Sequence, residues 1–114
     1  MAEKEYLYVG HYTTADGLYV LKIGTTNNLK RRQTEHNRSY SQCKPPYRKQ
    51  AGTKFEYDWT IPLSKYNTTR YEDRNRQKWQ DENIGEFIRN DRFVCAVKPA
   101  QVSVVIRKEY IITL

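Results

Sequence analysis

A chain of 114 residues is long enough for one domain with a modest hydrophobic core, and residues 1–114 are predicted to form a single domain. Only 38% of the residues are hydrophobic, so much of the core must come from the ten Tyr, three Phe and two Trp. The net charge of +7 favours an anionic partner, above all a nucleic acid. No apolar run approaches the length of a membrane-spanning helix.

The two cysteines, Cys43 and Cys95, have neither the spacing of metal ligands nor the density of a disulfide scaffold. They are expected to be reduced thiols. The sequence shows no charged-then-apolar leader, which predicts an intracellular, cytoplasmic protein.

The first part of the chain predicts a β-hairpin. Tyr6 to Val9 and Leu18 to Ile23 are rich in the β-branched and aromatic residues that favour extended backbone. Asp16-Gly17 between them provides the turn, because Gly tolerates a positive φ. Gly24 is predicted to end the second strand.

A helix is predicted from Leu29 to about Asn37, with Asn27 or Asn28 as its cap. One face of this helix carries four residues at i, i+3, i+4 and i+7: Leu29, Arg32, Gln33 and His36. A purely structural helix would place aliphatic side chains at these positions. Arg32 and His36 are therefore candidate functional residues.

The segment from Ser39 to Gly52 is poor in aliphatic residues and predicts an exposed loop. Its cations are either a phosphate-contacting surface or ordinary solvated residues: Lys44, Arg48 and Lys49. The alternation from Lys54 to Ile61 predicts a half-buried strand that Pro62 ends.

The rest of the chain predicts one helix and further strands. The helix begins at Ser64 or Thr69 and runs to Asp81, with Gly85 as its breaker. Three apolar runs predict strands: Phe93 to Val97, Val102 to Ile106 and Tyr110 to Leu114. The fold prediction is a small α+β domain, a mixed or antiparallel sheet flanked by helices, in the order β-β-α-β-α-β(-β).

The residues of the first half suit the hydrolysis of a phosphodiester. Such a reaction needs a base to activate water and positive charge on the phosphoryl oxygens, and a metal ion often supplies part of that charge. Arg32 and Lys22 offer positive charge, and His36 can carry protons. A tyrosine such as Tyr8 serves as a base where neighbouring cations favour its ionised form. The best candidate for a metal-binding carboxylate is Glu72.

These motifs resemble those of the GIY-YIG nuclease superfamily, and more narrowly its compact variants in phages and large viruses. Tyr6-Leu7-Tyr8 matches the first motif, and Lys22-Ile23-Gly24 matches the second in a variant with Lys in place of Tyr. The run TTNNLKRR from Thr25 to Arg32 follows the family pattern into its first helix, with His36 four residues later. The resemblance implies the family's fold and a one-metal hydrolysis of DNA.

The resemblance assigns a role to each matched residue. Tyr8, with help from His36, would take a proton from the attacking water, and Arg32 and Lys22 would hold the scissile phosphate. Glu72 would bind Mg²⁺ or Mn²⁺. The segment Gly85-Glu86-Phe87-Ile88 resembles the Gly-Glu-Trp-Phe element that follows this helix in the compact variants, whereas the first motif lacks its Gly.

Some assignments have alternatives that the sequence leaves open. Thr69-x-x-Glu72 is also a capping box, which would occupy Glu72 if the helix began at Thr69. Two other carboxylates are held in reserve as metal ligands: Glu82 and Glu86. Three residues are candidates for the late Asn of many family members: Asn75, Asn83 and Asn90.

Three functions compete at this level. The first is a metal-dependent DNA endonuclease, monomeric or homodimeric. The sequence does not distinguish single-stranded from double-stranded DNA as its substrate. The second is a catalytically inactive module that binds nucleic acid or protein, and the third is a small protein with an unrelated regulatory partner. Five cations are the predicted nucleic-acid contacts: Arg31, Arg38, Lys44, Arg48 and Lys49.

Overall fold

The computed structural model describes residues 4–88, 92–95, 103–107 and 110–113. These residues form seven strands and two helices. In chain order they are β1 (Lys4–Thr13), β2 (Tyr19–Thr26), α1 (Leu29–Ser41), β3 (Glu56–Ser64), α2 (Lys65–Asp81), β4 (Glu86–Phe87), β5 (Arg92–Cys95), β6 (Ser103–Arg107) and β7 (Tyr110–Thr113). Neither described helix combines the length and the apolar character that are needed to cross a membrane.

Five of these strands form one antiparallel sheet in the order β3-β1-β2-β5-β4, and β6 pairs with β7 in a separate sheet. The predicted α+β class and element order are confirmed. The short strand β4 was not predicted, because two residues carry no readable periodicity. The outer residues of the last predicted strands lie outside the described residues: Val97, Val102 and Leu114.

The two faces of the five-stranded sheet carry different side chains, because successive residues of a strand point to opposite sides. The first, here called the apolar face, holds a cluster of five buried residues: Leu7, Val9, Leu21, Ile23 and Trp79. The second, here called the aromatic face, holds another cluster: Tyr8, Tyr12, Val20, Tyr40 and Phe55. Trp79 belongs to α2 and Tyr40 to α1, so the two helices cover opposite faces of the sheet.

Two predicted strand ends are wrong. β2 continues through Gly24 to Thr26, because Gly24 pairs with Tyr8 of β1. β3 continues through Pro62, which pairs with Tyr6. β3 is an edge strand of the sheet, and such strands tolerate a proline because its missing N–H can face away from the ladder.

Asn83, and not the predicted Gly85, terminates α2, although the predicted last residue, Asp81, is confirmed. Asn83 has a φ of 54°, in the left-handed region that Asn tolerates better than most residues. The N–H of Ile84 donates to the carbonyl oxygen of Trp79 at 3.3 Å. This pattern is the Schellman motif, with Asn in the place usually taken by Gly.

The helix α1 begins as predicted and ends later. Asn28 is its N-cap, and its Oδ1 accepts a hydrogen bond from the N–H of Arg31 at 3.0 Å. The helix runs to Ser41, about one turn beyond the predicted end, and the added turn carries Tyr40 into the aromatic cluster. A buried aromatic side chain thus stabilises a turn whose local sequence favours a loop.

Candidate active site

One cavity of about 380 Å³ contains all five residues that the sequence motifs singled out. They come from four different elements: Tyr8 of β1, Lys22 of β2, Arg32 and His36 of α1, and Glu72 of α2. The cavity lies beside the part of β2 that extends past its pairing with β5, since Gly24 and Thr25 also line it. The tertiary structure therefore assembles in one place residues that are up to 64 positions apart (72 − 8) in the chain.

Tyr8 and His36 form a buried hydrogen-bonded pair. The Tyr8 Oη and the His36 Nε2 are 2.7 Å apart, and the two residues are 0% and 4% exposed. Gly24 makes this placement of Tyr8 possible, because a Cβ at Gly24 would lie 2.5 Å from the Tyr8 Oη. The second motif therefore has a glycine at this position because any side chain there would clash with the tyrosine of the first motif.

Aromatic stacking fixes the imidazole of His36. The ring of Tyr40 lies parallel to it, with centroids 4.9 Å apart and planes inclined by 7°. Tyr40 in turn stacks on Tyr12, with ring centroids 4.5 Å apart. The Tyr12 hydroxyl donates to the carbonyl oxygen of Tyr47 at 2.8 Å. The histidine therefore belongs to a stack that is anchored to the backbone, and its orientation toward Tyr8 does not depend on solvent.

Arg32 lies half-exposed at the mouth of the cavity and keeps its charge. Burial lowers the pKa of Arg32, but its hydrogen bonds and charge interactions, first with Tyr8 and then with Glu35, outweigh burial and raise it. The Arg32 Nη1 donates to the Glu35 Oε1 at 3.3 Å. The Arg32 Nε is buried and has no hydrogen-bond acceptor among the described residues. A guanidinium with an unsatisfied donor is suited to receive a phosphate oxygen.

A second tyrosine on the aromatic face behaves differently from Tyr8. Burial, followed by the charge interaction with Tyr8, raises the pKa of Tyr57 to about 12. Its hydroxyl donates to the carbonyl oxygen of Leu29 at 2.6 Å, which ties β3 to the start of α1. Tyr57 is therefore a structural tyrosine, although its ring lies 5.2 Å from that of Tyr8.

Lys22 and Glu72 complete the cavity from the sheet and from α2. Lys22 is only 6% exposed, although it carries a charge. Glu72 lies well inside α2, which begins at Lys65, and a capping box that starts at Thr69 is excluded because Thr69 is itself within the helix. Both charged side chains line the cavity that contains Tyr8.

The carboxylate of Glu72 fits the needs of a magnesium ion. Mg²⁺ is commonly held by one or two carboxylates together with substrate phosphates, and it keeps several water ligands. No group of three or more His, Cys, Asp or Glu that could hold a metal occurs among the described residues. Glu72 brings one carboxylate of the kind that Mg²⁺ uses into the cavity.

The predicted nucleic-acid contacts separate into three groups. Arg31 and Arg38 line a second cavity of about 490 Å³ on the outer side of α1, together with Lys30, which no sequence motif singled out. Lys44 and Arg48 are exposed in the following loop.

The fifth predicted contact, Lys49, is a structural residue of this loop. Lys49 is 9% exposed, and its Nζ donates to the carbonyl oxygen of Thr53 and, at 3.4 Å, to that of Gln50. Its backbone forms a bridge with Thr14. The loop is therefore attached to the sheet at this point, and the exposed basic surface does not include Lys49.

Several residues near the cavity differ from expectation. Glu35 and Tyr40 line it but were not predicted, although their spacing of three from Arg32 and four from His36 places them on the same helix side. The reserve carboxylates Glu82 and Glu86 do not line it, and Glu82 pairs with Lys78.

The structure describes two of the three candidates for the late asparagine, and these two lie in different places. Asn75 is fully buried on α2, and its Nδ2 donates to the carbonyl oxygen of Tyr71 at 2.7 Å. Asn83 terminates α2, as described above. Asn90 lies outside the described residues. Neither Asn75 nor Asn83 lines the cavity of Tyr8.

Comparison with known proteins identifies a family. The sequence model of the T5orf172 domain matches residues 5–108 of the chain. No curated protein matches the chain. No solved structure matches it either.

Proposed function

The chain belongs to the T5orf172 domain family, whose domains are of a nuclease type, and on this premise we propose that it is a metal-dependent DNA endonuclease of the GIY-YIG type. One observation carries the proposal. Tyr8, Lys22, Arg32, His36 and Glu72 line a single cavity, in which the Tyr8 hydroxyl is hydrogen-bonded to His36. A base, two cations and a carboxylate in one cleft are the groups that phosphodiester hydrolysis requires.

The Tyr8–His36 pair is the proposed base. A proton passes from the Tyr8 Oη to the His36 Nε2 along their 2.7 Å hydrogen bond, and the resulting tyrosinate takes a proton from the attacking water. The positive charge of Arg32 next to the Tyr8 hydroxyl favours this ionised oxygen. The stacked ring of Tyr40 keeps the imidazole in line throughout.

The cations of the cavity hold the scissile phosphate. Arg32 offers the buried Nε as a donor for a phosphate oxygen, and the amine of Lys22 adds a second positive charge in a site where water is scarce. Glu72 would hold a Mg²⁺ or Mn²⁺ ion, which when bound supplies positive charge at the leaving oxygen.

The exposed cations of α1 and the next loop would bind the DNA backbone near the cavity. Arg31, Arg38, Lys44 and Arg48 are exposed, and the net charge of the chain is +7. Such a surface binds the phosphate backbone without regard to base sequence, and its affinity falls as the salt concentration rises.

The proposal is tested by cleavage of labelled single- and double-stranded DNA with Mg²⁺ or Mn²⁺. Glu72→Gln is expected to lose about 100-fold or more of the rate, as is the wild type in EDTA, because the metal-binding carboxylate is removed or its ion withdrawn. Asp73→Asn is the matched control, since Asp73 follows Glu72 on α2, is 61% exposed and pairs with Arg76. This variant should cleave as the wild type does.

Three outcomes would contradict the proposal or one of its assignments. Cleavage that continues unchanged in EDTA or in Glu72→Gln would remove the metal site from Glu72. Absence of cleavage under all conditions, with DNA binding that weakens steeply as salt rises, would identify an inactive binding module on the same fold. Arg32→Ala with full Mg²⁺-dependent cleavage would exclude the assigned phosphate contact.

A further inference from the structure

Glu35 is an acidic side chain at the entrance of a site that is otherwise built for an anion. It lines the cavity that contains Tyr8 and Arg32, and it also lines the basic cavity on the outer side of α1. Its Oε1 accepts a hydrogen bond from the Arg32 Nη1 at 3.3 Å. Glu35 therefore stands between the exposed cations of α1 and the guanidinium at the cavity mouth.

The contact between Glu35 and Arg32 resembles the contact that a substrate phosphate would make. Both partners are substantially exposed, at 47% and 40% of their side chains, so the pair can separate without exposing a buried charge. The Arg32 Nε remains without an acceptor among the described residues while Glu35 occupies Nη1. A single carboxylate oxygen satisfies one edge of the guanidinium, whereas a phosphate can accept two parallel hydrogen bonds.

Glu35 and a phosphate cannot occupy Arg32 together at low cost. Two anions that share one guanidinium repel each other. When the phosphate binds, the carboxylate must turn toward solvent, which its exposure permits. The affinity for DNA is therefore lower than it would be if Glu35 did not compete with the phosphate for Arg32.

We infer that Glu35 is the internal anion that Arg32 releases when DNA binds, and that it sets the affinity of the site for the scissile phosphate. This inference rests on the proposed function for the identity of the bound anion. Because exposed ion pairs are weak, the expected effect is a factor of about two to five in the dissociation constant. Glu35 is thus an affinity-determining residue.

The test is a binding measurement in which no cleavage takes place. A fluorescein-labelled DNA, single-stranded and as a duplex, is titrated with protein in EDTA at low salt. Glu35→Gln is expected to bind about two to five times more tightly than the wild type. The control is Asp16→Asn, which removes the same charge in the β1–β2 turn.

Asp16 is a suitable control because it lies far from the cavity. The paired residues Tyr8 and Gly24 are five strand positions from the pair Thr13 and Tyr19, which is roughly 17 Å at about 3.4 Å per residue. Asp16 lies beyond that pair, in the turn. A gain that came only from the overall charge would appear equally in both variants.

A double-substitution cycle decides whether Glu35 acts through Arg32. In an Arg32→Ala background the gain from Glu35→Gln should largely disappear, because there is no guanidinium to release. If the gain remains the same in that background, the inference is overturned. It is also overturned if Glu35→Gln binds no more tightly than Asp16→Asn, or if no variant binds DNA.

Cleavage with Mg²⁺ provides a second readout. If the inference holds, Glu35→Gln lowers the KM by the same factor that is seen in binding. A loss of rate together with a raised Mg²⁺ requirement would make Glu35 a metal ligand and overturn the inference. A protein that binds DNA with the expected differences but never cleaves it refutes the proposed nuclease and leaves the role of Glu35 intact.

Discussion

The two faces of the five-stranded sheet are built from the same strands but do different work. On the apolar face, Leu7, Val9 and Trp79 are fully buried and pack into one hydrophobic cluster. On the aromatic face, the β1 residue between Leu7 and Val9 is Tyr8, whose hydroxyl lies in one cavity with the imidazole and guanidinium groups of α1. Because strand residues alternate, a single strand such as β1 can supply both stability and chemistry.

The difference between the faces shows how a small domain can hold reactive groups in place. The aliphatic side chains of the apolar cluster, such as Leu7 and Val9, need only a good fit, since they have no hydrogen bonds to satisfy. The groups of the aromatic face need defined partners, as the Tyr8–His36 bond and the Tyr57–Leu29 bond illustrate. Substitutions on the two faces should therefore separate loss of activity from loss of stability.

The largest effect is expected from Tyr8→Phe, which removes the hydroxyl and keeps the ring. Metal-dependent cleavage should fall by about 100- to 10,000-fold, because the proposed base is lost. Tyr57→Phe is the matched control on the same face, since its hydroxyl is structural and its pKa is raised to about 12. It should keep the cleavage rate and lose about 1 kcal/mol of stability. Equal rates in the two variants would refute the role of Tyr8.

Leu7→Ala on the apolar face is expected to have a large effect on stability and little effect on cleavage. Leu7 is 0% exposed, so the substitution leaves a cavity that should lower the free energy of unfolding by about 2–5 kcal/mol. Cleavage should persist at temperatures where the variant is folded. Leu63→Ala, at a partly buried position against the same cluster, should cost less in urea denaturation. A selective loss of cleavage in a stable Leu7→Ala protein would contradict the division between the faces.

The smallest effect concerns His11, which lies on β1 outside the Tyr8 cavity. The hydrogen bond that the His11 Nδ1 donates to the Asp58 carboxylate raises the pKa of His11 above 6.5, against the effect of burial, and Glu56 adds a charge interaction. Because the folded pKa is raised, the stabilisation is complete below pH 6.5 and is lost as the pH rises through the folded pKa. Its size should be about 1 kcal/mol or less.

This prediction is checked by urea denaturation of the wild type and His11→Gln at about pH 5.5, 7 and 8.5, on either side of the ordinary histidine pKa. The stability difference between the two proteins should shrink as the pH rises. A difference that stays constant over this range would show that the His11 charge does not contribute to folding. Cleavage measured at one pH should be the same for both proteins, since His11 does not line the cavity of Tyr8.

The sequence by itself determined the elements and the candidate chemistry. The hairpin, the first helix with an asparagine cap at position 27 or 28, and the half-buried strand β3 follow from local patterns, because turn residues, caps and alternation act over a few positions. The sequence motifs also singled out five candidate site residues, and the structure places them in one cavity: Tyr8, Lys22, Arg32, His36 and Glu72.

Only the tertiary structure decided what depends on distant partners. The continuation of β2 through Gly24 requires the pairing with Tyr8, and the last turn of α1 requires the burial of Tyr40. The internal position of Glu72 in α2 and the structural use of Lys49 likewise depend on contacts that no local pattern contains. Local sequence gives the residues their propensities, but burial and hydrogen bonding between distant segments choose among the states that those propensities allow.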